Sequence, residues 1–188
     1  MSDPVSALNA AVFEGPLVSI KELGAVGMVT IRGDFASKTF SAAVENVCGG
    51  PIPSQRRFSG ALGWMSPDEI LWTGDYADAP GIVAALDEAL GDEHHLAVNV
   101  SDARAVFRIT GQGARELIAK GAPVDMSPAA FTVGDLRRTH IGQVAAAFWM
   151  VGDEPTADLT LVCFRSFAGY MFDWLATSAK DGATPGLY

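Results

Sequence analysis

Apolar and polar positions along this chain change period several times, and each change marks an element. From Gly24, the run Val26-Gly27-Met28-Val29-Thr30-Ile31-Arg32 is β-rich and ends at Gly33-Asp34. Phe40, Ala43, Val44 and Val47 then fall at i, i+3, i+4 and i+7, the spacing of one helical face. The helix is expected to stop at Gly49-Gly50-Pro51-Ile52, because glycine takes positive φ and proline does not continue a helix. Gly63-Trp64-Met65 and Ile70-Leu71-Trp72 flank Ser66-Pro67-Asp68-Glu69, which reads as a hairpin with Pro67 pre-set for the turn. A second helix is expected over 79–90, with Ile82, Val83, Leu86 and Leu90 on one stripe, followed by a strand over 96–100.

The order then repeats. Ala105-Val106-Phe107-Arg108-Ile109 reads as a strand ending at Thr110-Gly111, and a short helix follows with Ala114, Leu117 and Ile118 inward. It stops at Gly121-Ala122-Pro123-Val124, which echoes Gly50-Pro51-Ile52. Gln143–Val151 and Asp158–Phe164 form a second hairpin. A last helix carries Phe167, Tyr170, Met171, Trp174 and Leu175 at helical spacing. The fold class is therefore α+β, with two ferredoxin-like β-α-β-β-α-β halves over 24–100 and 101–188. Residues 1–23 have no strong period and read as a loosely held lead-in.

Composition narrows the function classes. Charged residues make up 19%, below the roughly 25% of ordinary domains, while AVILMFWYC make up 49%. That balance suits either a tightly packed core or a covered surface. Net charge is −9, and no basic stripe for duplex nucleic acid is present. An anionic membrane would repel the chain, and its longest apolar run, Val144 to Val151, is too short to span one. Cys48 and Cys163 have no metal-site spacing and suit a reducing cytoplasm, and no signal peptide is expected.

Candidate chemistry is sparse. Thr110-Gly111-Gln112-Gly113-Ala114 lies where a dinucleotide fingerprint would lie, but Glu116 replaces the third glycine, so a tight strand-to-helix turn is expected. Adjacent His94 and His95 point to opposite faces of a strand, and His140 stands alone. Ser166 lacks a nucleophile elbow and reads as an N-cap for the last helix. Trp64, Trp72, Trp149 and Trp174 read as core or interface aromatics. Arg165, at a strand–helix junction, is expected to find a carboxylate or carbonyl.

Four stretches carry a resemblance. Gly63-Trp64-Met65-Ser66-Pro67-Asp68-Glu69-Ile70-Leu71 resembles the G-W-x-x-P-D-E-W-L hairpin of sarcosine oxidase gamma subunits. Val100–Arg104 with Gly111–Arg115, then Lys120–Met126, then Arg165–Tyr170 with Trp174-Leu175, follow in the family's order. Ile70, Asn99, Gln112 and Ala122 depart from the aromatic, Asp, Pro and Cys expected there. The resemblance implies a fold like the folate-binding domain of the glycine-cleavage T-protein. It implies a non-catalytic, stabilising subunit of a cytoplasmic heterotetramer that oxidatively demethylates sarcosine to glycine. Its partners would be alpha, beta and delta subunits, which would hold FAD, FMN, NAD, tetrahydrofolate and zinc. Interface or structural candidates are Trp64, Pro67, Asp68, Glu69, Arg165, Ser166, Tyr170 and Trp174. The competing readings are an independent folate-binding, aminomethyltransferase-like protein and a small-molecule binding module.

Overall fold

The computed structural model describes residues 4–183 and 186–187. Two short strands come first, β1 (Val12–Glu14) and β2 (Ser19–Glu22). The β-rich run after Gly24 forms β3 (Val26–Gly33), and the i, i+3, i+4 pattern forms α1 (Lys38–Cys48). Ser37 caps α1 by accepting from the Phe40 N–H, and Gly49 ends it at φ 77°. Then come β4 (Phe58–Ser59), β5 (Leu62–Ser66), β6 (Glu69–Asp75), α2 (Ala79–Leu90) and β7 (His95–Asn99). The later part holds β8 (Arg104–Thr110), α3 (Ala114–Gly121), β9 (Leu136–Ile141), β10 (Val144–Gly152), β11 (Asp158–Phe164) and α4 (Ala168–Ser178).

These elements make two compact units, one of residues 26–102 and one of residues 1–25 with 103–188. The first has an antiparallel sheet in the order β4-β5-β6-β3-β7. Omitting short β4, β7-β3-β6-β5 is the split βαβ arrangement that the alternation of elements predicts. Val29, Ile31, Ile70 and Trp72 face one way and pack with Phe40, Val44, Leu86 and Leu90 of the two helices. Apolar area is thus removed from water on one sheet face.

The second unit has the order β1-β2-β8-β11-β10-β9. The core order repeats, with β8, β11 and β10 in the places of β3, β6 and β5. The place of β7 is taken by β2, which pairs Ser19↔Thr110, Ile20↔Ile109, Lys21↔Arg108 and Glu22↔Phe107. The expected loose lead-in therefore includes a strand of the second sheet. Val18 and Ile20 are buried in a core with Phe107, Leu117, Phe148, Met171 and Leu175. The buried Glu22 carboxylate accepts from Ser6 Oγ at 2.8 Å and from the N–H groups of Leu8 and Ala10 at 3.2 and 2.7 Å, which ties residues 6–10 down. Sequence period misses this strand because four residues ending in Lys21-Glu22 show little alternation. β9 was also unexpected; it is an edge strand carrying Arg137, Arg138 and His140.

Candidate functional site

The β5–β6 hairpin tip is built by its own polar groups. Ser66 Oγ donates to Asp68 Oδ1 at 2.7 Å, and Arg32 of β3 donates to Asp68 Oδ2 at 2.5 Å. The Gly33 N–H reaches the Asp68 carbonyl at 3.1 Å. Hydrogen bonds from Ser66 and Arg32 hold the Asp68 carboxyl below its usual pKa. Pro67 is exposed at the turn, Glu69 faces Arg32 in the register, and half-buried Trp64 pairs with fully buried Ile70. Asp68 is thus occupied in fixing the turn against β3. The pair is half exposed, so its contribution to stability is small.

Beside this tip lies an open depression of about 590 Å³, lined by Arg32, Gly33, Asp34, Asp68, His94, His95 and Leu96. His95 is locked in place: Nδ1 meets the Glu93 carbonyl at 2.8 Å and Nε2 meets Asp87 Oδ1 at 3.0 Å. With Nδ1–H donating to the carbonyl, only the imidazolium also has a proton to donate to Asp87. The Glu93 carbonyl first, and then Asp87, raise the His95 pKa above the ordinary 6.5. A raised folded pKa stabilises the protein fully below the unfolded value and loses that contribution as pH rises through the folded value. The melting temperature is therefore expected to fall as pH rises above the ordinary imidazole value of 6.5. Asp87→Asn flattens that slope, and an equal fall in both proteins contradicts the assignment.

In the strand-to-helix turn before α3, Gly111 and Gly113 pack against the Leu17 backbone. Gly111 sits at φ 124°, and a Cβ there would lie 2.2 Å from the Leu17 carbonyl oxygen. The Gly113 N–H donates to that same oxygen at 3.0 Å. Glu116, in the place of the third fingerprint glycine, is buried and accepts from the N–H groups of Gly186 and Leu187 at 2.9 and 2.5 Å. Arg115 is only 4% exposed. It donates to Asp153 at 2.5 and 3.3 Å and to the carbonyls of Met126 and Phe131 at 2.7 and 2.9 Å. It joins α3 to two loops.

The remaining candidates lie around α4. Arg165 donates to the Val5 carbonyl at 2.7 Å. Ser166 does not cap the helix: residues 165–167 form a 3₁₀ turn, Phe167 is the N-cap residue, and α4 starts at Ala168 without any side-chain cap. The Ala168 N–H instead donates to the Arg165 carbonyl within that turn. Met171 and Leu175 are buried and Trp174 is half-buried, yet Phe167 and Tyr170 are 46% and 52% exposed. Helical spacing marks a stripe but not its width. Trp174 explains Gly121: a Cβ there would approach the indole to 2.6 Å. Lys120 Nζ donates to the Ser178 carbonyl at the end of α4.

The candidates thus fall into two groups, Trp64–Glu69 in one unit and Arg165–Trp174 in the other. Burial pushes the Cys48 and Cys163 thiols up to about 11, which makes them poor nucleophiles. Among the described residues, no three His, Cys, Asp or Glu side chains converge as a metal site. Glu22 and the Arg115–Asp153 pair were missed, since their partners are set by the fold rather than by local spacing; the signal was only a charged residue inside an apolar pattern.

The family model described as sarcosine oxidase, gamma subunit family, matches residues 32–181. A sarcosine oxidase subunit gamma of Corynebacterium sp. strain P-1 is 28% identical over 193 residues, covering 96% of this chain and 91% of the relative. The corresponding subunit of an Arthrobacter species is 29% identical over 128 residues, covering 66% of this chain and 59% of the relative. Among solved structures, a chain of the heterotetrameric sarcosine oxidase of Corynebacterium sp. U-96 superposes with a TM-score of 0.81 at 21% identity, covering 94% of this chain and 91% of that one. The glycine cleavage system aminomethyltransferase T of Bartonella henselae superposes with a TM-score of 0.59 at 9% identity, over 86% of this chain and 46% of that one. The latter two likenesses concern the fold.

Proposed function

The chain belongs to the sarcosine oxidase gamma subunit family, and from that membership we propose that it is the non-catalytic, stabilising subunit of a heterotetrameric sarcosine oxidase. The observation that carries the reading is the family match over residues 32–181, which includes all eight candidate residues. Several of these have structural occupations: Asp68 ties a hairpin to β3, Arg165 ties α4 to the N-terminal segment, and Trp174 packs against Gly121. The partners in this reading are alpha, beta and delta subunits in the cytoplasm. FAD, FMN, NAD, tetrahydrofolate and zinc belong to those subunits, which demethylate sarcosine to glycine and pass on the one-carbon unit. No helix among the described residues is long and apolar enough to cross a membrane.

The T-protein-like fold supports a second reading, a folate-binding, aminomethyltransferase-like protein acting alone. Calorimetry of the purified chain with tetrahydrofolate separates the two. The subunit reading expects no saturable heat, no flavin absorption and no turnover of sarcosine by the chain alone. Stoichiometric folate binding favours the second.

A further inference from the structure

Among the described residues, four strands end the two sheets: β1, β4, β7 and β9. Three are blunted against unwanted pairing. β1 has three residues and β4 two, while β9 carries Arg137, Arg138 and His140. β7 has no Lys or Arg, and its one titratable side chain, His95, is engaged by the Glu93 carbonyl and Asp87. Its five residues, His95-Leu96-Ala97-Val98-Asn99, include no Lys, Arg, Asp, Glu or Pro. Leu96 and Val98 are 47% and 41% exposed.

The backbone of β7 is open as well. The Val100 N–H donates to the Met28 carbonyl at 2.8 Å. Antiparallel pairing alternates, so Val98 opposite Thr30 and Leu96 opposite Arg32 also turn their backbone groups toward β3. His95, Ala97 and Asn99 then direct N–H and C=O away from the sheet. Among the described residues, no strand pairs with that side.

Charge indicates what covers it. Residues 26–102 hold four Lys or Arg and eleven Asp or Glu, a net of −7 of the chain's −9. A second copy would set −7 against −7, whereas a basic-flanked strand would be attracted. We propose that β7 is the docking edge for an extended apolar segment, flanked by Lys or Arg, of a partner subunit, which adds to this sheet as a further strand. This rests on the subunit reading given above.

Hydrogen exchange on the isolated chain and on the complex co-expressed with alpha, beta and delta subunits tests it. The outward amides of His95, Ala97 and Asn99 are expected to exchange about 100-fold more slowly in the complex. Ala97→Pro removes an outward N–H and leaves the ladder to β3 intact, and Val98→Lys places a charge on the edge. Each is expected to weaken assembly by about tenfold or more while the isolated chain stays folded by circular dichroism. A complex that forms with these amides unprotected overturns the docking edge and leaves the subunit reading standing. Failure to assemble overturns both. Protection of the same amides in the isolated chain, with a dimer mass in sedimentation, overturns the partner in favour of a second copy.

Discussion

Replacing Arg115 with alanine is expected to lower the melting temperature by roughly 6–20 °C. The guanidinium is almost fully buried and satisfies three groups at once: the Asp153 carboxylate and the carbonyls of Met126 and Phe131. Its removal leaves a partly buried carboxylate without its cation and two carbonyls without their donor. Breaking a buried pair from one side costs about 3–5 kcal/mol. In a chain of this size each kcal/mol corresponds to about 2–4 °C. Arg115→Lys keeps the charge but loses the planar fork, so an intermediate loss is expected. Thermal denaturation of the three proteins measures both; an Arg115→Ala protein within 1–2 °C of the parent, about the scale of a neutral surface change, contradicts the account.

Deleting residues 1–23 is expected to prevent the chain from folding as a soluble monomer. The deletion removes β2 and exposes the whole outer edge of β8, a strand otherwise paired on both sides. It takes Val18 and Ile20 from the core, each worth about 1.5–3 kcal/mol of apolar burial. It also removes Glu22 and the three hydrogen bonds that its carboxylate accepts. Total stability for a domain is only about 5–15 kcal/mol, so these losses consume much of it. Ile20→Ala is the graded version, with an expected loss of about 2–5 kcal/mol in urea denaturation. Were the segment a loose lead-in, the deletion would leave the melting curve unchanged.

That contrast shows where the sequence was legible. α1 was readable because Phe40, Ala43 and Val44 keep one period up to a Gly stop, whereas its Ser37 cap follows only from the fold. The β5–β6 hairpin was readable because Pro67-Asp68 punctuates two apolar runs. β2 was not, since its place is set by pairing with β8, far along the chain, rather than by its own pattern. Ser166 had the chemistry of a cap, but a 3₁₀ turn had already used the Ala168 N–H. Phe167 and Tyr170 share the spacing of buried Met171 and Leu175 yet face solvent, because periodicity gives a stripe and tertiary packing decides how wide it is. Asp68 and Arg165 were visible as motif residues, whereas their partners, Arg32 and the Val5 carbonyl, follow only from the fold.

The central claim is that this chain stabilises an oxidase whose chemistry lies in other subunits. Co-expression of the alpha, beta and delta subunits with and without it tests that most directly, with complex yield and sarcosine-dependent hydrogen peroxide production as readouts. The account predicts that omitting the chain abolishes the intact complex and its activity, and that adding it restores both, while the chain alone produces no peroxide. Full assembly and undiminished activity in its absence would contradict it.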